Sequence, residues 1–262
     1  MKNILLPIFC FILFPLVSKA SIEVLGALSN IHTGKPGDSY TEIIKVRNNS
    51  DIEQEVKIYQ TDYSFNYQGK SFYNEPGSQI RSNARWIEFN PKVTILKGKE
   101  TRNIQYSVII PSTDILVGTY WSMLMIEGVN QINPEHKRML NIQQSFRYAI
   151  QIVTNIGNTG LGMLEFQHPN VVIEGDKTYF DLDLLNTGQR MISPVVSMEI
   201  FDEKTAKSVK VIRNSQKVIY PTTSKKFKFL LEGIPTGKTY KAVIVADGSG
   251  DDVFGLEYTI VL

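Results

Sequence analysis

Residues 138–153, RMLNIQQSFRYAIQIV, alternate more persistently than any other stretch of the chain. Leu140, Ile142, Phe146, Tyr148, Ile150 and Ile152 fall on one side, and only Gln144 interrupts that apolar row. A two-residue period specifies a β-strand with one buried face, and this run is about twice the usual five or six residues. Whatever else the chain forms, it must supply a sheet against which so long a strand can lie.

The same alternation recurs in SYTEIIKVRN, EQEVKIYQTDY, RWIEF, TRNIQYSVII and TYWSMLMIEG, and after residue 155 in KTYFDLDLL, PVVSMEIFD, KKFKFLLEG, TYKAVIVAD and LEYTIVL. Short strands at this spacing, separated by Gly, Pro, Asn and Asp, predict β-sandwiches, and no convincing amphipathic helix accompanies them. The chain also repeats itself. Residues 96–128 are echoed by residues 220–248: a turn, an alternating strand, a proline, then a Gly and a Tyr (Gly118 and Tyr120; Gly237 and Tyr240) that open another strand. Earlier in each half a strand ends at an asparagine turn, KVRNNSD and LLNTGQ. Two copies of one immunoglobulin-like unit account for this pattern, with the tyrosines as candidate corner residues whose hydroxyls bond nearby backbone. The expected fold class is all-β, two immunoglobulin-like sandwiches in tandem. Their expected bounds are residues 21–155 and 156–262, with the joint near NIGNTG at 155–160.

Residues 1–20, MKNILLPIFCFILFPLVSKA, have a basic start, an apolar stretch and small residues before a cleavage point. They read as a signal peptide that is removed on export, too short and too proline-broken to span a bilayer. The one cysteine, Cys10, lies within this leader, so the mature chain is expected to rely on buried apolar area instead of disulfides or thiolate metal sites. Of 28 Lys and Arg against 26 Asp and Glu, Lys2 and Lys19 belong to the leader, which leaves a nearly neutral mature chain. A neutral surface predicts no nucleic-acid partner, because such binding needs a basic field to displace counterions. No later segment reads as a transmembrane span.

The long strand is the last of the first unit, so it has a neighbour on one side and is a candidate open edge on the other. An open edge is a row of unpaired N–H and C=O groups that must be covered or used. Its use by a partner is β-augmentation.

These residues resemble the periplasmic pilus-assembly chaperones, the PapD-like family of two immunoglobulin-like domains. GKPGDSYTEIIKVRNNSD is similar to that family's opening hairpin, WIEFNPKVTILKGKETRNIQYSVIIP to its middle segment, and LNIQQSFRYAIQIV to the last strand of its first domain. The resemblance implies a chaperone that lends alternating apolar residues of that strand to an incomplete pilin-like or surface-fibre subunit. By position, Leu140 and Ile142 are the implied donors, Arg138 stands where a third apolar donor is expected, and Gln144 lies within the same stretch. Phe146, Tyr148 and Ile150 are implied to join the chaperone's own core. Arg147 falls where the family places a cleft base that grips the subunit's terminal carboxylate, a task suited to a guanidinium fork. Read without the resemblance, Arg147 is a solvent-facing strand residue. The family's second cleft base is expected near Leu28 to Ile31, where the sequence has none. The loop from Tyr63 to Trp86 is longer than the family pattern, and the second half matches only in general form. An outer-membrane usher remains an open second partner. The order "PG…N…W…P…L…G…P…G-x-Y" is also similar to exported cell-surface proteins carrying a WxL-binding partner domain.

Other candidates have plainer readings. His32, His136 and His168 are separated, each in an apparent turn, without ligands at metal spacing. DGSGDD, residues 247–252, has three carboxylates but lacks the calcium-loop order, and reads as a hairpin turn. Trp86 and Trp121 read as core residues more readily than as sugar platforms. Tyr63, Phe65 and Tyr67 read equally well as a partner stripe or a hairpin face. Asn48-Asn49-Ser50 matches a glycosylation acceptor, yet asparagine is expected in a strand-ending turn. No nucleophile and base, HExxH or phosphate loop occurs, so the expectation is a non-enzymatic binding protein without cofactor or metal. Two functions follow as expectations: a periplasmic strand-donating chaperone, or a cell-surface or secreted structural or adhesive module that binds peptidoglycan, glycan or another protein.

Overall fold

The computed structural model describes residues 21–129 and 146–262, and residues 1–20 and 130–145 lie outside the described residues. Among the described residues the structure is all-β apart from one 3-10 turn, Ala84–Trp86, and no helix is long and apolar enough to cross a membrane. The first half contains β1 (Ile22–Leu25), β2 (Ser29–Gly34), β3 (Ser39–Asn48), β4 (Gln54–Phe65), β5 (Ser71–Asn74), β6 (Ile87–Asn90), β7 (Val93–Leu96), β8 (Thr101–Ile109), β9 (Gly118–Val129) and β10 (Arg147–Ile156). The second half contains β11 (Leu164–Glu174), β12 (Lys177–Asn186), β13 (Val195–Asp202), β14 (Ser208–Arg213), β15 (Ser224–Leu230), β16 (Thr239–Asp247) and β17 (Val253–Val261).

Each half is a sandwich. In the first, a sheet ordered β1, β3, β8, β6 faces one ordered β2, β10, β9, β4, β5, with β7 also paired to β4. In the second, β11, β12, β15 face β14, β13, β16, β17. The alternation chooses the inner rows: Ile44 and Val46 of β3, Val56 and Ile58 of β4, Ile104, Tyr106 and Val108 of β8, and Ile150 and Ile152 of β10 meet in one buried cluster. Phe180, Leu182 and Leu184 of β12 meet Phe227 and Phe229 of β15 and Met198 and Ile200 of β13 in the other. Burying such side chains at roughly 25 cal/mol per Å² of apolar surface is what replaces disulfides here.

The internal repeat extends to single atoms. Asn48 and Asn186 are both fully buried at the ends of β3 and β12. The Asn48 amide donates to the carbonyls of Ile52 (2.7 Å), Leu96 (3.1 Å) and Lys97 (3.0 Å), while its Oδ1 accepts from the Ser50 N–H (3.0 Å). The Asn186 amide donates to the carbonyls of Arg190 and Ile219, each at 2.9 Å, and its Oδ1 accepts from the Gly188 N–H at the same distance. Each thus ties its own turn to a distant strand end, and a buried Asn48 has no room for a glycan. Tyr240 is a corner residue, its hydroxyl donating to the Pro235 carbonyl at 2.7 Å. Tyr120 instead packs its ring against Trp86 at 4.7 Å, with the Arg81 guanidinium 5.4 Å above it. DGSGDD forms the turn between β16 and β17, where Asp252 accepts from Arg190 at 2.6 Å.

Several local expectations are corrected. His32 and His168 lie on β2 and β11, not in turns; His168, at φ 50°, fills the irregularity where β11 slips register against β12. Trp86 ends the 3-10 turn ahead of β6 instead of beginning a strand. The long Tyr63–Trp86 loop contains a hairpin, β4 with β5, and a segment clasped by the fully buried Asp62, whose carboxylate accepts from the N–H groups of Gly77 (3.1 Å) and Gln79 (2.8 Å) and from the Ser82 hydroxyl (2.5 Å).

Candidate functional site

The site begins with a change of sheet. β1 pairs with β3, but the chain then turns at Gly26, whose φ of +108° suits only glycine, and β2 joins the opposite sheet beside β10. β2 runs parallel to β10 and covers only Gln151–Ile156, whereas β9 pairs with all of β10 from Arg147 to Ile156. Arg147–Ile150 therefore have a strand on one side and, among the described residues, none on the other.

The direction of the exposed groups follows from one bond. The Gln151 N–H donates to the Leu28 carbonyl at 2.9 Å, so odd-numbered residues of β10 aim their backbone groups toward β2. Ala149 and Arg147 aim theirs the same way, past the start of β2, with no described acceptor or donor opposite. Among the described residues this is the one-sided edge expected for the last strand of the first unit; the candidates upstream of it are Arg138, Leu140, Ile142 and Gln144. Those four candidates lie outside the described residues. Of the three residues assigned to the core, Tyr148 and Ile150 pack there and Phe146 is half-buried.

Arg147 begins β10, nine residues before Ile156, the end that reaches the second sandwich. Its guanidinium holds Glu127 of β9 at 3.2 Å and lies 5.9 Å over the Tyr59 ring. Partial burial pushes the Glu127 carboxyl up, but the hydrogen bonds from Arg147 and Tyr59 prevail and hold it below the usual carboxylate range. Arg147 remains about half exposed, at 54% of its side chain.

The outward row of β10 and its neighbours makes the contact between sandwiches. Trp121, only 1% exposed, stacks on Tyr220 with ring centroids 4.8 Å apart, and Val153 and Phe65 complete the cluster. The Tyr220 hydroxyl donates to Gln151 Oε1 at 3.0 Å, the Tyr67 N–H to Ser224 Oγ at 3.0 Å, and the Thr119 N–H to the Gln189 carbonyl at 3.0 Å. Gly118 permits that last approach: at φ +75°, a Cβ there would sit 2.0 Å from the Gln189 oxygen. The aromatic stripe Tyr63, Phe65 and Tyr67 is thus engaged by the chain's own second half, an outcome neither sequence reading contained.

Beside this contact lies a cavity of about 400 Å³ lined by Tyr63, Phe65, Gln151, Lys217, Val218, Tyr220 and Lys225. Burial lowers the basicity of the Lys225 ammonium and the neighbouring Lys217 lowers it further; burial alone does so for Lys217. Lys217 donates to the Lys226 carbonyl at 2.7 Å, Lys225 stands 3.8 Å over the Phe65 ring, and no described carboxylate pairs with either. Burial also pushes the Tyr220 hydroxyl up to about 12, so it stays a proton donor. Two half-desolvated cations facing one cavity suit an anion, while the Tyr220 hydroxyl, bonded to Gln151, fixes the wall between them and β10. The sequence reading missed these lysines. The available signal was Lys225 itself, which opens the inward row Lys225, Phe227, Phe229 of β15 where an apolar residue is the rule.

No protein-family model matches the chain, and no curated protein does. Among solved structures, it is similar to a chain of the chaperone–tip adhesin complex of CFA/I fimbriae, at 16% identity over 92% of this chain and 99% of that one, with a TM-score of 0.49. It is similar to the class 5 fimbriae chaperone CfaA, at 15% identity over 92% and 99% with a TM-score of 0.48, and to the E. coli chaperone DraB, at 16% over 93% and 97% with a TM-score of 0.43. These are likenesses of fold.

Proposed function

We propose that this protein is a chaperone of the periplasm that shelters an exported pilin-like subunit by pairing the start of β10, and the donor residues Leu140 and Ile142 upstream of it, with a strand of that subunit. The observation that carries the reading is that, among the described residues, Arg147–Ile150 pair on one side only. A bare edge next to a fully paired one is a template for a foreign strand, and main-chain bonds of about 1 kcal/mol each supply affinity without cofactor or catalysis.

The edge also dictates where the visitor ends. A strand laid against Ala149 and Arg147 meets the start of β2, because Leu28 already occupies Gln151. At that stop stands the cavity of Lys217, Lys225 and Tyr220. A strand parallel to β10 brings its C-terminal carboxylate there, so the terminal anchor assigned by resemblance to Arg147 falls to these lysines, and Arg147 lies alongside the strand. Replacing both lysines by methionine keeps the apolar stems, relieves a burial cost and removes the charge. We expect capture of a subunit with a free C-terminus to weaken about tenfold or more, as befits loss of charge-assisted bonds, measured by isothermal titration, with capture of a C-terminally amidated subunit unchanged.

The decisive test is hydrogen exchange on complexes isolated after co-expression with candidate fibre subunits. In a one-to-one complex the Arg147 and Ala149 amides should become protected while the already bonded Gln151 amide changes little. A tightly bound subunit that leaves Arg147 and Ala149 exchanging at the free rate would end the strand-pairing reading.

A further inference from the structure

Cross-strand partners form a charge row that stops at the open edge. Lys57 of β4 faces Glu127 of β9, and Glu127 faces Arg147 of β10. The order is cation, anion, cation, with one carboxylate serving two basic groups; both Lys57 and Arg147 hold Glu127 in its ionised form. The next position outward, on a strand not yet present, faces Arg147. Two residues along, the row Tyr59, Met125, Ala149 ends in the smallest side chain of the three.

We propose that the strand received at this edge carries a carboxylate side chain opposite Arg147 and a large apolar side chain opposite Ala149. The inference rests on the strand-pairing function and deepens it, by assigning specificity to two residues whose side chains point outward and contribute little to the core. Opposite charges directly across an antiparallel or parallel pair attract, like charges repel, and a large side chain packs over a small one. Electrostatic complementarity of this kind selects partners and register more than it adds raw affinity.

The test uses synthetic peptides of alternating Val and Thr with a free C-terminal carboxylate, carrying Asp or Lys at the third or fourth residue from that end, where the stop before Gln151 places the residue facing Arg147. Binding is read by fluorescence anisotropy with the wild-type protein, Arg147→Gln and Arg147→Glu. The Asp peptide should bind the wild type about tenfold more tightly than the Lys peptide, a difference expected for exchanging an attractive exposed pair for a repulsive one. The preference should vanish in Arg147→Gln and reverse in Arg147→Glu. In parallel, Ala149→Leu should weaken binding of a peptide with Phe two residues beyond the Asp more than one with Ala there. Peptides that bind all three Arg147 forms with the same Asp-to-Lys ratio overturn the charge assignment while leaving strand pairing standing. If no peptide binds even the wild type at millimolar concentration, strand pairing fails and the specificity proposal falls with it.

Discussion

Proline in place of Ala149 should weaken subunit capture while leaving the protein folded. The Ala149 N–H points to the open side of β10, so proline removes no bond that the isolated chain makes, and an edge position with its N–H directed away from the sheet is where strands tolerate proline. A docked strand, however, loses one main-chain bond and meets the ring. One lost main-chain bond of about 1 kcal/mol together with the clash of the ring should lower affinity about tenfold or more, measured by titration with an isolated subunit. Thermal stability should drop by no more than about 1 kcal/mol. Ile150→Pro is the contrast: Ile150 aims its N–H at β9 opposite Leu124, and the variant should unfold the first sandwich. Leu140→Asp with Ile142→Asp should match Ala149→Pro in lost capture, since charge cannot enter an apolar groove. If Ala149→Pro and the double aspartate variant both retain their partner, the protein holds it through other surfaces, and the structural or adhesive module becomes the better reading.

The second large effect is on stability. Asn48→Leu should lower the unfolding free energy by about 3 kcal/mol, because the buried Leu96 carbonyl and the part-buried Lys97 carbonyl lose their Asn48 donor, the Ser50 N–H loses its Oδ1 acceptor, and the Ile52 carbonyl keeps only the Ser50 hydroxyl. In a protein of this size that corresponds to a fall in Tm on the order of 10 °C. Asn186→Leu should act in the same direction on the second sandwich, where the Arg190 carbonyl loses its Asn186 donor and the Ile219 carbonyl keeps only the Ile192 N–H. Neighbouring Asn49, whose amide reaches only the Glu23 carboxylate at a half-buried position, should cost about 1 kcal/mol or less when changed to Ala. Differential scanning calorimetry on the three variants separates these cases. Equal melting of Asn48→Leu and Asn49→Ala would show that the buried amide is not the tie that the two turns share.

Much of the architecture was readable in advance because its causes are local. Alternation marks which face of β3, β8, β12 or β16 meets a core, whatever the partner strand. The doubled order of turn, strand, proline, glycine and tyrosine revealed two related units, and the Asp-Gly pair at residue 247 announced the last hairpin. The Asn48 and Asn186 turns were legible as turns for the same reason: asparagine side chains bond backbone two residues away. The one-sided pairing of Arg147–Ile150 among the described residues agrees with the place of that strand at the end of a unit.

What a two-residue period cannot encode is which edges meet, since backbone groups along a strand are the same for every sequence. The crossing at Gly26, which covers Gln151 and leaves Ala149 bare, arises only when β1 and β2 are set on opposite sheets. The fate of Tyr63, Phe65 and Tyr67 was likewise undecided until Tyr220 and Ser224 arrived from more than 150 residues downstream. Lys217 and Lys225 acquire their setting only because the second sandwich carries them to the β10 outward row. Side-chain chemistry and its period thus determined the strands, their faces and the repeat; long-range packing alone decided where backbone was left unsatisfied and where charge was left uncompensated, because both are properties of neighbours that the local sequence does not contain.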